Sequence, residues 1–255
     1  MLGAVAGDII GSVYEWDNAK RMDFPLFTVG SDFTDDSVLT FAVADCVLNG
    51  LEYAATLRKY ARAYPDRGYG GMFRRWFLSD KPGPYHSFGN GSAMRASPIG
   101  FAYDTEARVL EEARKSAAVT HDHPEGIQGA QAVALAVFLA RTTKDKETIR
   151  RCVVERFGYD LSRTIDSIRP SYRFDVTCRG SVPEAIIAFL ESDDFEDAIR
   201  RAVSLGGDSD TIACMTGGIA QAYYGEVPPA IEREAVKRLP IEFLKLLADF
   251  NKEYL

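Results

Sequence analysis

The chain has 255 residues and a formal charge of −7, from 30 Lys plus Arg against 37 Asp plus Glu. At 46% hydrophobic and 26% charged it lies in the globular range and can bury a sizeable core, which excludes disorder and collagen-like repeats. With no Lys/Arg-rich run, nucleic acid is not expected as a main partner. A small anionic ligand stays open, because a bound cation or a helix N-terminus can reverse the local field.

The first segment runs from Gly3 to Trp16 and includes Gly7-Asp8-Ile9-Ile10-Gly11-Ser12-Val13-Tyr14-Glu15. Glycines at 3, 7 and 11 recur every four residues, which gives a helix a smooth face on which another helix or a ligand can lie closely. It is not the dinucleotide fingerprint, which needs Gly-x-Gly-x-x-Gly after a strand. Glu15 lies just beyond that helix, where a surface carboxylate is the commoner reading. The N-terminus has no basic leader, and no apolar stretch reaches the ~18 residues of a membrane span. The longest, Ala130 to Ala140, reads as a buried helix.

Helical periodicity then dominates. Val38, Leu39, Ala42, Val43, Cys46 and Val47 share one face. Pro65 to Pro98 is rich in Gly, Pro and aromatics without a strong period and reads as a long functional connection or lid. Helices are expected at Thr105 to Val119, Ile127 to Ala140, Ile149 to Phe157, Val182 to Leu190, Phe195 to Leu205 and Thr211 to Tyr224. Two more are expected at Pro229 to Arg238 and Pro240 to Tyr254, where Pro228-Pro229 and Pro240 mark helix starts. Strands have little room, so the fold class is all-α. The four cysteines, Cys46, Cys152, Cys178 and Cys214, are widely spaced without a Cys-x-x-Cys pair, which fits a reducing cytoplasm.

Two acidic segments stand at helix starts, Phe33-Thr34-Asp35-Asp36-Ser37 and Gly206-Gly207-Asp208-Ser209-Asp210-Thr211. Capping alone explains one such cluster, at about 1 kcal/mol per cap. Two clusters supply more carboxylates and hydroxyls than capping needs. If all four carboxylates converge, repulsion of about 3 kcal/mol per pair, at 5 Å and an effective dielectric of 20, has to be offset. Hard divalent cations would do this, and oxygen donors without His or Cys favour Mg²⁺, Mn²⁺ or Ca²⁺ over Zn²⁺. Spacing leaves open whether the clusters meet. His121-Asp122-His123-Pro124-Glu125 reads as a polar helix entry more readily than as a zinc site.

In combination and order, six motifs resemble the ADP-ribosylglycohydrolase family. They are the Gly-Asp-x-x-Gly-Ser-x-x-Glu opening, Thr-Asp-Asp-Ser, Gly-Asn-Gly-Ser-Ala-Met-Arg at 89 to 95, Thr120-His121, Ser181-Val182-Pro183-Glu184-Ala185 and Leu-Gly-Gly-Asp-Ser-Asp-Thr at 205 to 211. The resemblance implies one domain over residues 1–255, a compact orthogonal multi-helix bundle with a dinuclear metal centre. By it, Thr34, Asp35, Asp36, Asp208, Asp210 and Thr211 would hold two Mg²⁺ or Mn²⁺ ions, with Asp35 and Asp36 also counted as catalytic. Glu15 would be the acidic proton-transfer residue beside the scissile bond. Ser87, Phe88, Gly89, Asn90 and Gly91 would bind the diphosphate end of the ligand, with His121 near it.

The implied activity is release of ADP-ribose from a modified protein or conjugate by a monomeric cytoplasmic enzyme. A two-metal phosphoesterase and a non-catalytic ADP-ribose-binding protein are the alternatives. Tyr172, Arg173, Cys178 and Arg179 are candidates for the leaving-group side.

Overall fold

A computed structural model describes residues 1–80 and 83–255. Among them the chain forms fourteen α-helices and no strand. In chain order these are α1 (Leu2–Gly11), α2 (Asp35–Asn49), α3 (Tyr53–Ala63), α4 (Gly71–Leu78), α5 (Ser97–Ala102), α6 (Glu106–Ala118) and α7 (Pro124–Thr143). They are followed by α8 (Lys146–Phe157), α9 (Ile165–Ile168), α10 (Cys178–Leu190), α11 (Phe195–Ser204), α12 (Ser209–Tyr224), α13 (Pro229–Val236) and α14 (Ile241–Tyr254). One isolated bridge, Gly89 with Thr177, is the only extended pairing among the described residues. No helix there is long and apolar enough to cross a membrane, and the four cysteines are free thiols.

The axis of the bundle is α12, buried from Ser209 through Ala222 and packed by α1, α7, α10 and α11. A helix covered on every side has no polar face, which explains its Ala- and Gly-rich, weakly amphipathic sequence. Its tightest neighbour is α1. A Cβ on Gly3 would run into the Gly217 carbonyl, one on Gly7 into the Ala213 carbonyl, and one on Gly11 would lie within 2.6 Å of Asp210 backbone atoms. The four-residue glycine stripe is therefore the contact that brings two backbones together. It also sets Asp8 and the segment leading to Glu15 against the start of α12.

The helices expected after residue 100 are present, with starts shifted by up to four residues. The connection from Pro65 to Pro98 is partly corrected: it contains α4, whose Phe73, Trp76 and Phe77 are buried at helical spacing, and a 3-10 turn at Asn90–Ser92. Helix α10 begins at Cys178, ahead of the expected Val182, because the Thr177 hydroxyl accepts from Gly180 N at 3.0 Å as its cap; Pro183 lies inside it. His123 caps α7 with Pro124 in the first turn, as expected of a polar helix entry.

Candidate active site

The two acidic segments meet. The Thr211 hydroxyl donates to Asp36 Oδ2 at 3.1 Å, and carboxylate oxygens of Asp8, Asp36 and Asp210 lie within 4.8 Å of one another, as do those of Glu15, Asp208 and Asp210. Asp8, Asp36, Asp208, Asp210 and Thr211 are buried, while Glu15, Thr34 and Asp35 are half-buried. Capping does not account for this arrangement. Thr34 does cap α2, accepting from Asp36 N at 3.3 Å, but Asp208 occupies the N-cap of α12 without a capping bond. Its Oδ2 instead accepts from Asn90 Nδ2 at 2.6 Å, and Oδ1 of buried Asp36 has no partner.

Local backbone chemistry aims these groups. Gly206 and Gly207 take successive positive φ angles of 67° and 71°, which L side chains adopt at a cost. Gly207 N donates to Asn18 Oδ1 at 2.8 Å, and Asn18 Nδ2 donates to the Glu15 carbonyl at 3.1 Å, so one amide joins the Glu15 segment to the turn carrying Asp208. Lys20 Nζ donates to the carbonyls of Arg169, Tyr172 and Leu205, holding the same segment from the other side.

Asp8 belongs to the Gly-Asp-x-x-Gly-Ser-x-x-Glu opening, but nothing in the sequence assigned it a role. Its Oδ2 accepts from Thr34 N at 3.0 Å, from Ser37 N at 3.1 Å and from the Ser37 hydroxyl, and its Oδ1 accepts from the Thr34 hydroxyl at 2.6 Å. It thus supplies an anion to the free N–H groups and positive dipole end of α2. The available signal was a lone carboxylate in a helix otherwise made of Gly and apolar residues.

Packing so many carboxylates together raises their affinity for protons. Burial pushes Asp8 up to about 6 despite its hydrogen bonds. Burial, then the Asp208 charge, pushes Glu15 up to about 7. Asp35, Asp36 and Asp210 are raised well above the usual carboxylate range by burial and then by neighbouring carboxylates, led by Asp8 for Asp35, Asp210 for Asp36 and Asp208 for Asp210, and Asp208 is raised by burial.

Above the cluster lies a cavity of about 560 Å³, within the range of small-molecule sites. All six expected metal-ligand positions line it, together with Glu15, Ser87, Gly89, Asn90, Gly91 and His121. Phe88 does not. It is 49% exposed and packs edge-on against His123. Of the residues expected on the leaving-group side, none lines the cavity: Cys178 is buried and donates to the Gly89 carbonyl, and Arg179 turns toward Glu125. Their neighbours Phe174 and Val176 do, with Phe174 stacked on exposed Trp16 at 5.1 Å.

A family model described as ADP-ribosylglycohydrolase matches residues 1–254. The chain is 28% identical over 301 residues to ADP-ribosylhydrolase ARH3 of Xenopus tropicalis, covering 89% of this chain and 86% of that one. It is 28% identical over 306 residues to ARH3 of Homo sapiens, covering 88% and 84%. It is 26% identical over 263 residues to ADP-ribosylarginine hydrolase Tri1 of Pseudomonas putida (strain GB-1), covering 88% and 69%. A solved structure titled "ADP-ribosylglycohydrolase-related protein complex" has the same fold, with a TM-score of 0.75 at 24% identity, covering 100% of this chain and 96% of that one.

Proposed function

The chain belongs to the ADP-ribosylglycohydrolase family, and from that membership we propose that it removes ADP-ribose from modified protein side chains, cleaving the glycosidic bond at the anomeric carbon of the distal ribose. The observation that carries this reading is the convergence of Asp36, Asp208, Asp210 and Thr211 at the floor of a cavity that the Ser87 to Gly91 loop also lines.

The donor set is entirely oxygen, and the Asp36 oxygen without a partner sits among buried carboxylates that repel each other. Such a set fits hard divalent cations, and we assign Thr34, Asp35, Asp36, Asp208, Asp210 and Thr211 as ligands of two of them, Mg²⁺ or Mn²⁺. When bound, the ions supply Lewis-acid charge and lower the pKa of water. The remaining work falls to the chain. Glu15, beside Asp208 at the cavity wall, passes a proton between the attacking water and the leaving group. As the C1 bond to the leaving atom breaks and the bond to water oxygen forms, the negative field of Asp35 and Asp36 faces the positive charge growing on the ribose. The Gly91 backbone N–H and the Ser87 hydroxyl, which accepts from Gly89 N and keeps its own proton to donate, hold the diphosphate, Phe88 offers an aromatic edge outside the cavity, and His121 donates toward the same loop. Four free thiols agree with a reducing, cytoplasmic setting.

The test is product identity. Proteins carrying ADP-ribose on arginine, serine or threonine are incubated with the enzyme, and intact ADP-ribose is expected for at least one linkage. AMP or orthophosphate would mark a phosphoesterase instead, and binding without turnover a non-catalytic ADP-ribose binder.

A further inference from the structure

Arg95 is the largest fully buried side chain of the protein, and among the described residues no carboxylate pairs with it. It lines the cavity. Its Nη2 donates to the Ser116 carbonyl at 2.8 Å and to the Thr120 hydroxyl at 3.0 Å, while Nε and Nη1 have no partner. Thr120 Oγ1 is also 2.7 Å from Nδ1 of His121, whose ring is buried except where it meets the cavity. On its far side Nε2 faces the loop, where a Cβ on Gly91 would stand 3.2 Å from it and one on Gly89 3.6 Å. The two glycines thus keep open the approach to Nε2.

The direction of the Thr120 to His121 bond follows from the charge behind it. A hydroxyl that accepts from a guanidinium becomes a stronger donor, and its short bond runs to Nδ1, while the Ala117 carbonyl is 3.5 Å away and the Tyr85 hydroxyl, which also meets Thr120, can itself donate to it. A lone pair on Nδ1 also suits a nearby fixed cation better than an N–H dipole pointed at it. Burial, then the Arg95 charge, holds the imidazole pKa well below its usual value, so the ring is neutral and carries one proton.

We propose that Arg95 and Thr120 are positioning residues that fix His121 as the Nε2–H tautomer, aimed at the Gly89 to Gly91 loop as a hydrogen-bond donor to an acceptor-only oxygen of the phosphate class. The ring cannot accept there, so a ligand group that can only donate, such as an ammonium or amide N–H, is disfavoured at that point. The identity of the ligand rests on the function proposed above; the tautomer does not.

Two-bond ¹H–¹⁵N spectra of the ligand-free full chain, with His121 assigned by its absence in His121→Asn, are expected to show the proton on Nε2 and a hydrogen-bonded, unprotonated Nδ1. Thr120→Val is expected to remove the hydrogen-bond shift of Nδ1 and to weaken ADP-ribose binding about tenfold, the scale of one lost bond to a charged group, while Thr120→Ser retains both. A proton on Nδ1 in the wild type overturns the proposal, as does a folded Thr120→Val that keeps the wild-type spectrum and affinity. Should the valine variant fail to fold, the wild-type and serine spectra still decide. A chain with the expected spectrum that binds no ADP-ribose would contradict the proposed function and leave the tautomer standing.

Discussion

The hydroxyl of Thr211 donates to Asp36 Oδ2 at 3.1 Å, linking acidic segments 175 residues apart in the chain. That bond uses one oxygen of Asp36 and leaves the other without a partner. Thr211→Val preserves shape and removes the link. Its affinity for Mn²⁺, measured by calorimetry, is expected to fall about 10–100-fold, the usual effect of losing a group that ligates or orients a metal ligand, while the helical circular dichroism stays unchanged.

The glycine stripe of α1 is a second point of leverage. Gly7→Ala places a methyl against the backbone carbonyl of Ala213 rather than against a movable side chain. Overpacking against backbone lies at the upper end of the usual range, about 3 kcal/mol, or about 6–12 °C in Tm for a chain of this size. A thermal melt within 2 °C of the wild type, about what half a kcal/mol would produce, would show that the helices separate freely.

The pH dependence of the metal-free protein follows from the raised carboxylates. Folding moves Asp8 from 3.8 up to about 6 and Glu15 from 4.5 up to about 7, and raises Asp35, Asp36, Asp208 and Asp210 as well. Between the unfolded and folded values the native state binds more protons, so its stability rises as pH falls from about 7 toward 4.5. Two groups oppose this: the buried Met1 amine, lowered from 8.0 to about 4, and His121 below 6.5, because at both the unfolded chain takes the proton first. Six raised carboxylates outweigh these two. In EDTA, Tm is expected to be higher at pH 5.5 than at pH 8. Saturating Mn²⁺ should flatten or reverse that slope, and parallel profiles with and without the ion would refute the assignment.

Glu15 is half-buried at the cavity wall with its carboxyl pushed up to about 7, poised to hold or give up a proton. Glu15→Gln keeps the shape and removes the titration. Turnover is expected to fall about 10²–10⁴-fold, with ADP-ribose affinity changed little. An equal loss in affinity and none in turnover would make Glu15 a binding group only.

Much of this was readable in the sequence where one physical rule acted alone. Period and capping residues located the long helices, and the Gly3, Gly7, Gly11 spacing announced a close helix contact. Helix α4 was hidden because its flanks are Gly- and Pro-rich, although Phe73, Trp76 and Phe77 keep helical spacing within eight residues. Helix α10 starts ahead of the expected Val182 because Thr177 provides the cap and the helix runs on through Pro183. For the site, motif resemblance named the acidic segments, but only the fold could bring them together. Asp8 escaped because its importance lies in four hydrogen bonds to α2, a relation between distant segments. Phe174 and Val176 escaped because which side chain of an irregular segment faces a cavity is set by tertiary contacts such as Trp16 on Phe174.

The most direct measurement is release of ADP-ribose from an ADP-ribosylated protein by the wild type, Asp36→Ala and Asp210→Ala, each in EDTA and in excess Mg²⁺ or Mn²⁺. The expected result is intact ADP-ribose from the wild type only with a divalent ion. Both variants should lose at least about 100-fold, as removal of a key transition-state stabilising group does. Undiminished release by either variant, or by the wild type in EDTA, would contradict a two-cation centre built from both acidic segments.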